Sequence, residues 1–256
     1  MSDIKFLSGR TSEVFPDQWY ALAREDHFWM QWRLRAFLEQ LKGLKIDLRS
    51  PLKALEIGCG DGVLRRQLEA NSAWDIDGAD INSEALKRTH SVRGETFFYD
   101  IFDRRREFAG HYDAIILFDV LEHIADEKAF LEAALFHLKK GGMLFINVPA
   151  LQGLFSRYDE AVGHLRRYDK GMMAGLIKSA SLELVNMRYW GFSMLPLLSM
   201  RQHLVKNEKP SDETIRRGFE PPTEAVNSIM KTVMQIETSI FKEPPSGSSL
   251  LAAARS

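Results

Sequence analysis

The chain has 256 residues, 45% of them hydrophobic, and a formal net charge of -1. That length suits one large α/β domain and its core, and the charge balance gives a nucleic-acid partner no electrostatic help. The single cysteine rules out an internal disulfide and fits a reducing compartment.

The N-terminus "MSDIKFLSGRTSEVF" lacks the basic-then-apolar layout of a signal peptide. No apolar run approaches the roughly 18 residues of a membrane span. The expectation is a soluble, cytoplasmic protein. Residues 17 to 42 read as a helix, with Trp19, Ala23, Phe28, Trp32, Leu34, Phe37, Leu38 and Leu41 at mixed three and four spacing and Gly43 as its stop. From Leu52 onward short apolar runs alternate with helical stretches. "KALEIG" is a strand and "GVLRRQLEAN" a helix. "WDIDGADI" is a strand, and "NSEALKRTHSV" is a helix opened by Asn82 or Ser83. "ETFFYDIF" and "YDAIILFD" are strands, the latter with the apolar centre of a sheet covered on both faces. "DEKAFLEAALFHLKK" reads as a helix with acids first and lysines last, ended by Gly141 and Gly142 before the strand "MLFINVP". A polar loop to Tyr168, the helix "KGMMAGLIKSA" and the strand "LELVNMRYW" follow. Residues 192 to 246 hold one clear amphipathic helix, "TEAVNSIMKTVMQIETSIF", and "SSLLAAAR" reads as an edge strand.

This rhythm means βαβ units. The expected fold is α/β: Rossmann-like and doubly wound. Its seven-stranded sheet is mostly parallel with an antiparallel last strand, and helices lie on both faces. Residues 1 to 45 would form a helical lid. Residues 46 to 256 would form the main domain, with an insertion at 192 to 246 over the acceptor site.

The informative stretch is "ALEIGCGDG". A strand running into a glycine-rich turn and then a helix aims backbone N–H groups at a ligand. The dinucleotide spacing G-x-G-x-x-G would need a glycine at position 63, where Val63 stands. Glu56, two residues before Gly58, would repel phosphate and suit a cation. An NAD-dependent oxidoreductase is therefore disfavoured; binding of a cationic ligand without catalysis stays open.

"LEIGCGDG" resembles motif I of class I S-adenosylmethionine-dependent methyltransferases. "GADI", "YDIFD", "DAIILFDVLEHI" and "LKKGGMLFINVP" follow in the family's order, together covering about residues 52 to 150. The resemblance implies S-adenosylmethionine as cofactor and methyl transfer to oxygen or nitrogen of a small-molecule acceptor, with a sugar or lipid-linked glycan precursor in view; from the charge balance no nucleic-acid partner is expected. It implies that Glu56 and the backbone of Gly58, Cys59 and Gly60 meet the methionine end. Asp80, 22 residues after Gly58, would hold the ribose hydroxyls beside Ile81. Asp100 would meet the adenine amino group, with Ile101 against the ring. The Phe118 carbonyl would accept from the cofactor's amino group, and Asp119 would line the same site. Cys59 reads as a packing residue, not a nucleophile.

In the same family a histidine at the place of His123 lies near the transferred methyl, so His123 is a catalytic candidate. Glu122 is read as facing solvent or capping a helix. Within the loop "SRYDEAVGHLRRYD", the segment "GHLRRY" resembles an element of methyltransferases acting on surface carbohydrates, glycolipids and small metabolites. His164 is the second catalytic candidate there, and Tyr158, Arg166, Arg167 and Tyr168 are candidate acceptor contacts; arginines suit a carboxylate or phosphate. In "DHFWMQWRLR", Trp29 and Arg33 are candidate cofactor residues, whereas Phe28 and Trp32 read as packing. "FSMLPLLSMRQHLVK" could touch a lipid-linked acceptor at a membrane surface. No metal-ligand set is assigned.

Overall fold

A computed structural model describes residues 3–9, 24–90, 92–204, 209, 211–219 and 223–256. Residues 17–23 of the long first helix read from the sequence lie outside them. Among the described residues, eight strands form one sheet: β1 (Ile4–Phe6), β2 (Lys53–Ile57), β3 (Asp75–Asp80), β4 (Thr96–Phe98), β5 (Tyr112–Phe118), β6 (Leu138–Pro149), β7 (Glu183–Trp190) and β8 (Ser249–Arg255). Their order is β1-β4-β3-β2-β5-β6-β8-β7. All pairings are parallel except those of β8, which runs antiparallel to both neighbours.

Two expectations need correction. The sheet has eight strands, not seven, because Ile4–Phe6 pairs with Thr96–Phe98. The last strand is also not an edge. It lies between β6 and β7, and Leu250 to Ala254 are fully buried. Its alternation serves two cores at once: Leu250, Ala252 and Ala254 face one hydrophobic cluster, Leu251 and Ala253 the other. Small side chains suit a strand pressed from both faces.

The helices divide between those faces. On one lie α4 (Glu127–Leu135) and, after the short loop helix α5 (Arg157–Ala161), α6 (Lys170–Ser179); α4 and α6 contribute Phe130, Leu131, Met173 and Ile177. On the other lie α1 (Phe28–Gly43), α2 (Val63–Asn71), α7 (Leu195–Leu204) and α9 (Glu224–Ile240). Trp32, Phe37 and Leu41 of α1 are wholly buried, as their spacing requires for a helix with one apolar stripe. The "NSEALKRTHSV" helix is only α3 (Ser83–Leu86), capped by the Asn82 Oδ1, which accepts from the Glu84 and Ala85 amides at 3.0 Å each. The fourth helix stops at Leu135, so Lys139 and Lys140 belong to β6 rather than to a helix end. There the register slips: Leu138 pairs with Tyr112, and the next pair is Met143 with Ala114. The "KKGG" segment bulges out between them.

The 192–246 region holds more than the one helix read from sequence. It carries α7, α8 (Asp212–Phe219) and α9. Two polar anchors tie it down. The Asn227 Oδ1 accepts from the Phe28 amide at 2.9 Å, joining α9 to the start of α1. The buried Glu237 carboxylate accepts from the amides of Gly191, Phe192 and Ser193 at 3.0, 3.0 and 2.6 Å, and from the Ser193 hydroxyl at 2.6 Å.

Candidate functional site

Parallel strands bring the carboxyl ends of β2 to β6 to one edge of the sheet. β2 is flanked by β3 on one side and β5 on the other, and a crevice opens outside such a reversal point. The glycine turn sits there. Gly58 has φ 74°, and a Cβ on it would come within 2.5 Å of Val120 Cγ2. Only glycine fits this close approach. The Gly60 amide donates to Asp80 Oδ2 at 2.7 Å, and the Asn82 amide donates to Asp80 Oδ1 at 2.7 Å. Asp80 is thus buried at the end of β3 with two backbone donors; burial raises its carboxyl above the ordinary value, and those amides oppose the rise. Ile81 beside it is half-buried. Across the crevice Asp100 caps a short 3-10 turn, accepting from the Phe102 amide at 3.0 Å, and Ile101 is buried next to it. Cys59 is buried, and burial raises its thiol well above the ordinary value, so it is an unreactive packing group.

At the other end of the crevice are two buried groups of opposite sign. Glu56 is 4% exposed and its Oε2 has no hydrogen-bond partner. Burial pushes its carboxyl up to about 8, against the pull of Arg33 and Arg65. Arg33, 5% exposed, donates from Nη1 to Asp119 Oδ2 at 2.6 Å, while its Nε has no partner. An unpaired buried acceptor and an unpaired buried donor are costly. Together they are suited to a ligand that carries both an ammonium and a carboxylate group. Asp119, at φ 58°, also accepts from Asn147 Nδ2 at 2.6 Å, and Asn147 Oδ1 accepts from Trp190 Nε1 at 2.9 Å. Phe118 packs its ring against Phe37 at 4.9 Å, and Trp29 lies against Trp190 at 4.6 Å. Phe28 and Trp32 are core residues.

The two candidate histidines meet at the carboxyl end of β5. Their rings are edge to face, 4.9 Å apart. His123 Nδ1 donates to the Gly163 carbonyl at 3.0 Å; burial and the neighbouring His164 lower it to about 3, so it is neutral. His164 Nδ1 donates to Asp159 Oδ1 at 3.0 Å, and its Nε2 lies 3.8 Å from Glu122 Oε1. Glu122 is not the solvent-facing or capping residue expected from sequence. It is 1% exposed, and neither carboxylate oxygen has a hydrogen-bond partner. The 3-10 turn Leu121–His123 turns its side chain inward.

The four candidate acceptor residues have partners within the protein. Arg167 is buried against Asp159, donating from Nε at 2.8 Å, and also donates to the Ala150 carbonyl at 3.2 Å. Arg166 pairs with Glu127 at 2.9 Å and donates to the Ile124 carbonyl at 2.6 Å. Tyr168 donates to the same Glu127 at 2.6 Å. Tyr158 is buried beneath Arg201, whose guanidinium lies 4.1 Å from the ring centre. These pairings organise the loop. Sequence reasoning missed Asp159, Glu122 and Asn147. Asp159 sat inside the quoted loop, five residues before His164. Asn147 was the polar residue within the apolar strand "MLFINVP", a signal that could have found it.

A family model described as a methyltransferase domain matches residues 21–192. Among curated proteins, the ubiquinone biosynthesis O-methyltransferase of Erwinia tasmaniensis is 30% identical over 37% of this chain and 41% of its own. That of Thiobacillus denitrificans is 30% identical over 40% of this chain and 47% of its own. The matched part thus spans less than half the length of these relatives. Among solved structures, phosphoethanolamine N-methyltransferase 2 of Haemonchus contortus, in complex with S-adenosyl-L-methionine, shares the fold. Its TM-score is 0.56 at 15% identity, over 87% of this chain and 52% of that one. The glycine turn, the acids that close its crevice and the family match lead to one conclusion: the chain belongs to the class I S-adenosylmethionine-dependent methyltransferases, with S-adenosylmethionine as its cofactor.

Proposed function

We propose that the enzyme methylates a hydroxyl group of a small-molecule acceptor, and that Glu122, His123 and His164 handle that hydroxyl. The observation that carries this is the arrangement at the carboxyl end of β5. His164 is held through Nδ1 by Asp159, its Nε2 turns toward Glu122, and a neutral His123 stands beside it. A hydroxyl becomes a good nucleophile only as its proton is drawn away, and an oriented imidazole edge is suited to that task. The names of the curated relatives, O-methyltransferases, support oxygen as the acceptor atom.

S-adenosylmethionine supplies an electrophilic methyl on a sulfonium centre. Around it, we assign Glu56 to the amino group with the Phe118 carbonyl, and Arg33 to the carboxylate. Gly58, Cys59 and Gly60 supply backbone along the methionine end. Asp80, with Ile81 beside it, takes the ribose hydroxyls. Asp100 and Ile101 take the adenine. Asp119 fixes Arg33, and Trp29 closes the crevice from α1. α1 and α9 act as covers, joined through Asn227. Leu197 and Met200 are exposed on α7 beside Arg201 and His203, which supports an acceptor carrying a lipid. No helix among the described residues is long and apolar enough to cross a membrane; the buried single thiol supports a reducing cytoplasm.

The test uses methyl-labelled S-adenosylmethionine with a panel of phenols, catechols and sugars, plain and lipid-linked. Label should pass to a hydroxyl-bearing acceptor, and His164→Ala should abolish transfer while cofactor affinity is kept. Transfer only to amines, or full transfer by His164→Ala, would refute the assignment.

A further inference from the structure

The cluster proposed to handle the acceptor has an unsolved charge problem. Glu122 is 1% exposed, and neither of its oxygens receives a hydrogen bond. Asp119 and Asp159 are like charges near it, and Arg167 is an opposing cation. Arg167, however, is committed to Asp159. A buried carboxylate without donors costs several kcal/mol unless it takes up a proton or a cation joins it.

The surrounding side chains have the arrangement that a cation would need. His123 and His164 each give Nδ1–H to a fixed acceptor, the Gly163 carbonyl and the Asp159 carboxylate, both at 3.0 Å. That sets the tautomer in which Nε2 carries the lone pair. Metal-binding histidines are commonly held this way, with the non-ligating nitrogen bonded to a carbonyl or carboxylate. One ligand atom from each of Glu122, His123 and His164 lies within 4.8 Å of the others. Bonds of ~2.1 Å to a shared ion put neighbouring ligand atoms about 3–3.5 Å apart, so small side-chain rotations close the set.

From this geometry we infer that Glu122, His123 and His164 form a binding site for a first-row divalent metal ion, with Asp159 and the Gly163 carbonyl positioning the two imidazoles. Two imidazoles and one carboxylate favour ions such as Zn²⁺, Mn²⁺ or Fe²⁺ over Ca²⁺ and Mg²⁺, which prefer oxygen. Three protein ligands leave positions open for a hydroxyl. The inference rests on the proposed function and deepens it: with both imidazoles holding the ion, a Lewis acid rather than a free imidazole edge would acidify the acceptor's hydroxyl, whose proton passes to water. Its test needs no acceptor.

The full chain is stripped with a chelator, dialysed and titrated with Zn²⁺ and Mn²⁺ by calorimetry. One equivalent should bind. Glu122→Gln and His164→Gln should each weaken binding at least about a hundredfold, and Asp159→Asn about 10- to 100-fold. S-adenosylhomocysteine titrations on each variant check that the fold and cofactor site persist. If Glu122→Gln does not fold, histidine ring nitrogen NMR on the unaltered chain decides: Zn²⁺ should move the signals of both His123 and His164. The inference falls if no saturable binding occurs, if binding survives Glu122→Gln and His164→Gln, or if the ring signals do not move. Acceptor methylation that fails while metal binds would refute the proposed function alone; methylation by a chain that binds no metal would refute only this inference.

Discussion

Glu56 should make the ligand-free protein less stable as the pH rises. Its carboxyl ionises near 4.5 in an unfolded chain and at about 8 when folded. Between those values the folded state holds a proton that the unfolded state has lost, so stability falls with increasing pH across this window and levels off above it. At ~1.36 kcal/mol per pH unit the gap amounts to about 5 kcal/mol, a ceiling that water entering the crevice lowers. Glu56→Gln cannot ionise and should remove this slope. Urea unfolding of the ligand-free chain and of Glu56→Gln, at pH 5 and pH 8.5, measures the difference. The variant should gain several kcal/mol relative to the unaltered chain at the higher pH and little at the lower one. It should also bind S-adenosylmethionine at least about tenfold more weakly, losing the partner of the ammonium group. Calorimetry near pH 7 in buffers of different ionisation enthalpy should show a proton released on cofactor binding, because the arriving cation ionises Glu56. Equal pH slopes for the two proteins, with no proton released, would refute the reasoning.

Asp80→Asn should lower S-adenosylmethionine affinity about tenfold, ~1.4 kcal/mol, with a smaller loss of thermal stability from the weakened Gly60 and Asn82 bonds; unchanged affinity would remove the ribose assignment. Glu237→Ala orphans three backbone amides, at a net ~1 kcal/mol each, and should lower the melting temperature by roughly 6–12 °C for a chain of this size; a shift under about 2 °C would show that water replaces the carboxylate.

The strand and helix order was legible because each element carries its own period, and the glycine turn with Glu56 and Asp80 was legible because those residue types declare their chemistry locally. Position within the sheet was not. "SSLLAAAR" has the same pattern at an edge or in the middle, and only its pairing with residues 143–149 and 183–190 decides. Burial of charge was equally hidden. Glu122 adjoins His123 in a polar-looking turn, and nothing local says that its side chain points inward. Arg167 reads as an anion binder until the fold delivers Asp159, eight residues earlier, to its guanidinium.

The central placement of β8 also bears on how the molecule is made. Until residues 249–255 leave the ribosome, β6 and β7 each present a long unpaired flank of amides and carbonyls to the cell. From the making of residues 183–190 onward the nascent chain therefore carries two sticky borders, and one segment, residues 249–255, seals both at once. Removing that segment would leave a split sheet prone to joining its neighbours, a failure of assembly rather than of chemistry.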